Sequence, residues 1–277
     1  MSVEVLDWGS RHREGLDRAL GAPDELCSQA RPFFGPPVDG PWWRFTLVAE
    51  MGDDPVGAAV AFVSHWHPHR LWVSVEVAAE RRRQEVGTAL LEAVRERCRA
   101  DGRPLRGKVF ADTPAAAFAA RHGFKVIQRS RTFRLHEPAS LASVDLTIEA
   151  PAAPTAIAAA FRDFYVSSHD WDPPGPITLD DISKVHLTDA TLAIVVRGPS
   201  GEPLAAGCLF DEDGVLSFSG GPTDPTEPRA AAACAALLDA VPRPVLVEAD
   251  DSVPAMLAAL TARTATVTDE VHLVAEA

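Results

Sequence analysis

Cysteine is scarce and scattered. Cys27, Cys98, Cys208 and Cys234 stand in no metal-ligand spacing, so neither a thiolate zinc site nor a disulfide framework is expected, and in a reducing compartment all four read as free thiols. Long apolar runs are missing too: nothing approaches the ~18 consecutive apolar residues of a spanning helix. The opening Met1-Ser2-Val3-Glu4-Val5 has neither the basic nor the apolar region of a secretory signal, which makes a cytoplasmic protein with no membrane partner the expectation. Basic residues are in deficit, 26 Lys+Arg against 39 Asp+Glu, for a formal charge of -13. Sequence-independent nucleic-acid binding needs a basic face and is therefore not expected. A cationic substrate such as an amine suits the excess of carboxylates, although an acidic surface also serves solubility alone. No Gly-x-Ser-x-Gly elbow and no cysteine nucleophile motif occurs, which counts against those hydrolase classes.

What is present is the composition of a folded chain, 47% hydrophobic and 23% charged over 277 residues, a length that favours two domains. Val3 to Trp8 reads as a strand, and a polar stretch with two helices runs to the Pro-Gly-rich loop Phe34 to Pro41. Trp43 to Glu50 and Val56 to Ser64 form a hairpin about Gly52-Asp53-Asp54-Pro55. His65-Trp66-His67-Pro68-His69 makes a second turn, read as an exposed hairpin tip. Three alternating imidazoles suit zinc or nickel, but no carboxylate or cysteine completes the set, and no metal is assigned. Leu71, Val73, Val75 and Val77 then alternate with Trp72, Ser74 and Glu76, the period of a strand with two different faces. Helical spacing follows over 82–99, a strand over 105–111, a short helix over 114–122 and one or two closing strands over 124–135. From Val144 onward a similar order of strands and helices returns, which suggests an internal duplication. The predicted division is a first domain at 1–137, a linker at 138–144 and a second domain at 145–277, each an α/β (α+β) unit.

The junction from Val75 to Leu91 is a strand passing through a basic turn, Arg81-Arg82-Arg83, straight into a helix. Such a junction gathers unpaired amides and the positive end of the helix dipole at one spot, a ready site for phosphate. Small residues at Gly87 and Ala89 permit close approach of a ligand to the backbone.

This segment resembles the signature of the GNAT (Gcn5-related N-acetyltransferase) family, Arg/Gln-x-x-Gly-x-Gly/Ala after a strand, with Gln84, Gly87 and Ala89 filling the pattern. The resemblance covers residues 1 to about 136 and implies tandem GNAT-like domains, each with a mixed, mostly antiparallel central sheet flanked by helices. It implies acetyl-CoA as co-substrate, with the pyrophosphate on the loop Arg82, Arg83, Gln84, Glu85, Val86, Gly87, Thr88 and Ala89. Val75 and Val77 fall where the family strand splays from its neighbour and lends amides to the acetyl carbonyl and the pantetheine arm. Asp112 falls where the family often has an asparagine, and Phe118 to Phe124 resembles the helix end that closes over the cofactor arm. Two departures stand out. Glu85 occupies a position that is usually glycine, and Ala119 stands where many members have the tyrosine that protonates the leaving thiolate; Tyr165 is the only tyrosine in the chain.

The implied reaction is direct attack of a primary amine, favoured as part of a small molecule, on the thioester. It requires a base, an amide donor for the developing oxyanion and orientation. Glu76 is the candidate base and Ser74 a candidate relay, both on the strand face opposite Val75 and Val77. Phe33, Phe34, Trp42 and Trp43 are candidate walls of the acceptor pocket, with core packing as the competing explanation. In the second half Ala231, Cys234 and Ala236 stand under Gln84, Gly87 and Ala89, and the preceding loop is proline-rich. A proline donates no amide to phosphate, so this half resembles a degenerate GNAT repeat that covers a sheet edge and shapes the acceptor cleft; an unrelated α/β domain is the alternative. The rival reading from another class is an acetyl-CoA-binding pseudo-enzyme acting as a sensor or interaction module. Acceptor identity, acyl chain length and oligomeric state are left open by the sequence.

Overall fold

The computed structural model describes residues 2–136 and 145–277; the predicted linker at 138–144 lies outside them. Two compact units emerge, and they are not simply the two halves of the sequence. The first comprises 1–126 together with Leu273–Ala277, and the second comprises 127–272.

In the first unit, strands β1 (Glu4–Asp7), β2 (Arg44–Met51), β3 (Asp54–Val63), β4 (Leu71–Val77) and β5 (Leu105–Phe110) lie side by side in that order, and the end of the C-terminal strand β12 (Ala265–Ala275) follows β5. Pairing is antiparallel from β1 to β4 and parallel between β4 and β5. Alternation gives the sheet two apolar faces. On one, helix α3 (Val86–Cys98) buries Val86, Leu90, Leu91 and Val94 against Phe45, Leu47, Ala59, Ala61 and Leu71, each such side chain stabilising by roughly 1.5–3 kcal/mol. Helix α4 (Pro114–Arg121) adds Ala119 to that side. On the other, α1 (His12–Leu20) sets Leu16 with Phe34, Val48, Ala58 and Val60. The short helix α2 (Glu25–Ala30) buries no side chain of its own and starts on an Asp24 cap, whose carboxylate accepts the Cys27 amide at 2.7 Å.

The helix predicted to begin at Arg82 begins at Val86 instead, after a turn in which Arg83 and Glu85 both have positive φ, 64° and 60°. Two successive left-handed excursions cannot propagate a right-handed helix, so the basic residues sit in the turn. The His65–His69 turn is also less open than expected: His65 is exposed and lies 5.8 Å from the Trp42 ring, but His67 is buried. Among the described residues no cluster of His, Cys, Asp or Glu is arranged to hold a metal ion, and no helix is long and apolar enough to cross a membrane.

The second unit orders its strands β12, β6 (Lys125–Leu135), β11 (Val245–Asp250), β10 (Val215–Pro222), β9 (Pro203–Glu212), β8 (Leu192–Arg197) and β7 (Thr147–Glu149). It carries α5 (Pro154–Ser168), α6 (Leu179–Ile182), which runs into a π-helical turn at Ser183–Leu187, α7 (Ala230–Ala240) and α8 (Pro254–Thr261). Here too one parallel pair, β10 with β11, stands within an otherwise antiparallel set.

The feature that positions the site is the β4–β5 junction. Their pairing is confined to Leu71 with Leu105 and Trp72 with Arg106. One residue further on, a Cβ at Gly107 would lie 2.9 Å from the Val73 carbonyl oxygen. Gly107→Ala should therefore force backbone apart and lower stability by about 1–3 kcal/mol, as overpacking does. Urea denaturation measures this, and an unchanged midpoint would show that the strands do not meet there.

Candidate active site

Beyond Trp72 the backbone of β4 has one neighbour instead of two. The Ala78 amide donates to Val56 of β3 at 2.9 Å. In an antiparallel ladder alternate residues turn both backbone groups to the same side. The amides and carbonyls of Trp72, Ser74 and Glu76 therefore serve β3, and those of Val73, Val75 and Val77 face the opening toward β5. Arg82 confirms the sense, because its Nε donates to the Val77 carbonyl at 3.2 Å. The two valines singled out in the sequence thus present backbone to a gap.

A cavity of about 730 Å³ occupies that gap, within the roughly 300–1,000 Å³ of small-molecule sites. It reaches both faces of the sheet. On the α3 side it is bounded by Val75, Val77, Val86, Gly87, Phe118 and Ala119, and on the α2 side by Cys27, Phe33, Phe62, Trp72, Ser74 and Glu76.

The α3 end is built for an anion. Ala89 is the residue whose amide returns to the Glu85 carbonyl, at 2.9 Å, so the amides of Val86, Gly87 and Thr88 precede the helix's own hydrogen bonding. Arg82, Arg83 and Arg121 add positive charge to the lining. A Cβ at Gly87 would make only ordinary van der Waals contact with the Phe118 ring, at 3.4 Å, so packing alone does not demand glycine there. Glu85 does not spoil the cradle as its charge alone suggests. Its Oε2 accepts the Thr88 hydroxyl at 2.8 Å, and Thr88 Oγ1 stands 3.4 Å from His122 Nε2. Burial, then the charges of Arg121 and Arg95, hold the His122 imidazole below its usual range and hence neutral at pH 7. Gln84 turns away and donates to the Glu80 carbonyl at 3.0 Å. Neither Gln84, Ala89 nor the exposed Asp112 lines the cavity.

The α2 end departs from the sequence reading. Glu76 is not a free carboxylate at a solvated edge: it is only 9% exposed, and both of its oxygens are taken by Arg31, with Nε on Oε2 at 2.9 Å and the second guanidinium nitrogen on Oε1. A forked pair of this kind occupies both oxygens and leaves the carboxylate ill placed to accept a substrate proton. Ser74 does face the cavity. Of the four expected wall residues only Phe33 lines it; Phe34 is buried in the α1 cluster, Trp43 packs edge-on to Phe45 at 5.3 Å, and Trp42 is 66% exposed. The wall is completed instead by Phe62, stacked on Phe33 at 4.1 Å, and by Trp72, 6.2 Å from Phe62. Phe62 follows Ala58 and Val60 on the α1 face of β3, and Trp72 alternates with Leu71 and Val73 on β4 and stands opposite Phe62.

Cys27 also borders the cavity, and burial, followed by the neighbouring Glu76, pushes its thiol up to about 12. The thiol therefore stays protonated at neutral pH and is a weak nucleophile. Alkylation of Cys27 by iodoacetamide at pH 8 should be much slower than that of a free cysteine, followed by mass spectrometry; rapid labelling would overturn this. Arg31 and Glu76, 15% and 10% exposed at their side chains, should show a coupling of about 1–3 kcal/mol in a double-mutant cycle read by urea denaturation.

Residues 42–126 match the model of the acetyltransferase (GNAT) domain. Among curated proteins no sequence matches the chain. Solved structures resemble it over nearly its whole length. A GCN5-related N-acetyltransferase from Sphaerobacter thermophilus superposes with a TM-score of 0.65 at 14% identity, covering 99% of this chain and 95% of that one. A tandem GNAT protein from the clavulanic acid biosynthesis pathway, solved without AcCoA, gives 0.59 at 17% identity, covering 99% and 98%. An acetyltransferase-like protein from Pyrococcus horikoshii gives 0.53 at 14% identity, covering 99% and 88%. At these identities the likeness is one of fold. Residues 42–126 of the first unit thus match a GNAT acetyltransferase domain, in a chain whose fold is that of tandem GNAT structures.

Proposed function

We propose that the first unit binds acetyl-CoA through the α3 turn and the β4–β5 gap and transfers its acetyl group to a primary amine of a small molecule approaching from the α2 side. The observation that carries this reading is the coincidence, in one cavity, of a helix N-terminus ringed by arginines and a strand whose Val75 and Val77 amides face open space. The residues fit the ligand: the α3 amides with Arg82 and Arg83 suit a pyrophosphate, and the Glu85 carboxylate is drawn aside by Thr88.

Acetyl-CoA supplies the thioester: the neutral amine bonds to its carbonyl carbon, the C–S bond breaks, and one proton passes from nitrogen to sulfur through water. The Val75 amide is the donor for the charge that gathers on the carbonyl oxygen. Ser74 orients the water on the amine side. Glu76 acts through its fixed negative charge and through Arg31, holding α2 over the acceptor. Cys27 keeps its proton, so no acetyl-cysteine stage is invoked and both substrates are bound together when transfer occurs. A second reading, a cofactor-binding sensor that does not turn over, draws on Ala119, which has no hydroxyl for the leaving sulfur, and on the pairing of Glu76.

Calorimetric titration of acetyl-CoA is the test. Binding to the wild type is expected, weakened about tenfold by Arg83→Glu, because the reversal of charge is felt directly at a helix N-terminus. Glu85→Gly should act oppositely, tightening binding several-fold by removing both a carboxylate and a left-handed non-glycine residue. No binding to the wild type would overturn the proposal. Binding with no turnover of any amine would leave the sensor reading.

A further inference from the structure

Resting on the acetyl-transfer reading, the α2 half of the cavity carries chemistry that a bare amine does not need. Strand β5 places Leu105 and Val109 on the α3 side, so Lys108 and Phe110 project from the opposite face, as Trp72, Ser74 and Glu76 do on β4. Carrying the Leu71–Leu105 register forward sets Lys108 level with Ser74 across the gap. Lys108 borders the cavity, and among the described residues it makes no ion pair. Of the carboxylates on this half, Glu76 is ion-paired with Arg31, while Asp24 accepts the Cys27 amide as the cap of α2 and keeps its charge. The Lys108 ammonium is therefore available to an acceptor carboxylate at the β5 side of this space, with the one uncancelled carboxylate, Asp24, at the start of α2. Opposite stands the stack Phe33, Phe62 and Trp72, with Leu26 and Ala30 of α2 above it.

We infer that the acceptor is a free amino acid with an aromatic or apolar side chain, acetylated on its α-amine. Its carboxylate pairs with Lys108, its side chain lies on the Phe62–Trp72 wall, and its amine sits at Ser74 facing the gap. The three requirements sit at one carbon in an α-amino acid, which suits a space bounded by two adjacent strands and one short helix. A polyamine is disfavoured where its second ammonium would meet Lys108. The transfer yields the N-acetyl amino acid and the free thiol of CoA, with the amine proton accounted for as above.

The test is calorimetry on the protein saturated with CoA, titrated separately with L-phenylalanine, 2-phenylethylamine, spermidine and the tripeptide Phe-Ala-Ala. L-Phenylalanine should bind at least tenfold more tightly than each of the others. In Lys108→Met, an exposed position expected to leave the melting temperature unchanged, the ratio of L-phenylalanine to 2-phenylethylamine affinity should fall about tenfold. Equal or tighter binding of 2-phenylethylamine, spermidine or the tripeptide overturns the inference, as does failure of L-phenylalanine to bind a protein that holds CoA. Failure to hold CoA at all is a different result and overturns the acetyl-transfer reading beneath it.

Discussion

The first unit depends on two neighbouring strands that stop pairing. β4 and β5 share a ladder only as far as Trp72 and Arg106, then part. An amide or carbonyl left without a partner in a buried place is worth about 1–3 kcal/mol of lost stability, so a fold does not keep such an opening without a reason or a filling. Here the opening is kept by what packs around it. Arg95 joins three pieces of chain, donating to Glu276 at 2.7 Å and to the His122 carbonyl at 2.6 Å, and Glu276 in turn accepts the Leu105 amide at 3.1 Å. One guanidinium therefore fixes α3, the end of α4 and the outer edge of β5 together. The wedge is held open from its edges, and its interior need not carry structural load.

The second unit shows what happens when the same topology is not held open. β10 and β11 pair at Ser217 with Leu246 and at Phe218 with Val247, another short parallel contact followed by longer strands. There the glycines of β10 face protein. A Cβ at Gly221 would stand 2.4 Å from the Phe164 ring, and one at Gly220 would meet the Ala206 carbonyl oxygen at 2.5 Å. Phe164 is buried and takes the space from within. Arg229, which stands under Arg82 when Leu237-Leu238 is aligned in sequence with Leu90-Leu91, is spent on Glu227 at 2.9 Å and Glu202 at 2.8 Å. In this unit the β10 glycines make room for packed protein atoms, and Arg229 is paired with two carboxylates.

Much of the first unit could be read from the residues. Strict alternation in 71–77 gave β4 its limits, and the helical spacing over 82–99 gave α3 but not its start at Val86, because the pattern is local and the turn that delays the helix is not part of it. The loop was legible because its signal is local too. What could not be read were relations between distant segments. Nothing near Glu76 announces Arg31, 45 residues earlier, and a carboxylate on a strand reads as a base until its partner is seen. The aromatic wall was sought where aromatics cluster in sequence, at Phe33, Phe34, Trp42 and Trp43, but adjacent residues point different ways and only one of them lines the cavity. Phe62 and Trp72 belong to the wall because β3 and β4 are neighbours in space. The return of Leu273–Ala277 to the first unit is longer-range still.

The pairing of Arg31 with Glu76 also decides how the acceptor side is held. Helix α2 spans 6 residues and buries none of them, and an isolated helix shorter than about 12–15 residues is marginal in water. Propensity alone does not hold it over the cavity, and Leu26, Cys27 and Ala30 are only partly buried there. Its start is fixed by Asp24, and the residue that follows its end, Arg31, is clamped to Glu76 and donates to the Gly21 carbonyl at 2.6 Å. The carboxylate that a transfer reaction could have used as a base is therefore the one that fixes the roof of its acceptor space. In the proposed transfer, proton removal then falls to water, and orientation is the service asked of this side of the site. Removing Arg31 would free a base and release the roof at once, so the two roles of Glu76 exclude each other through geometry.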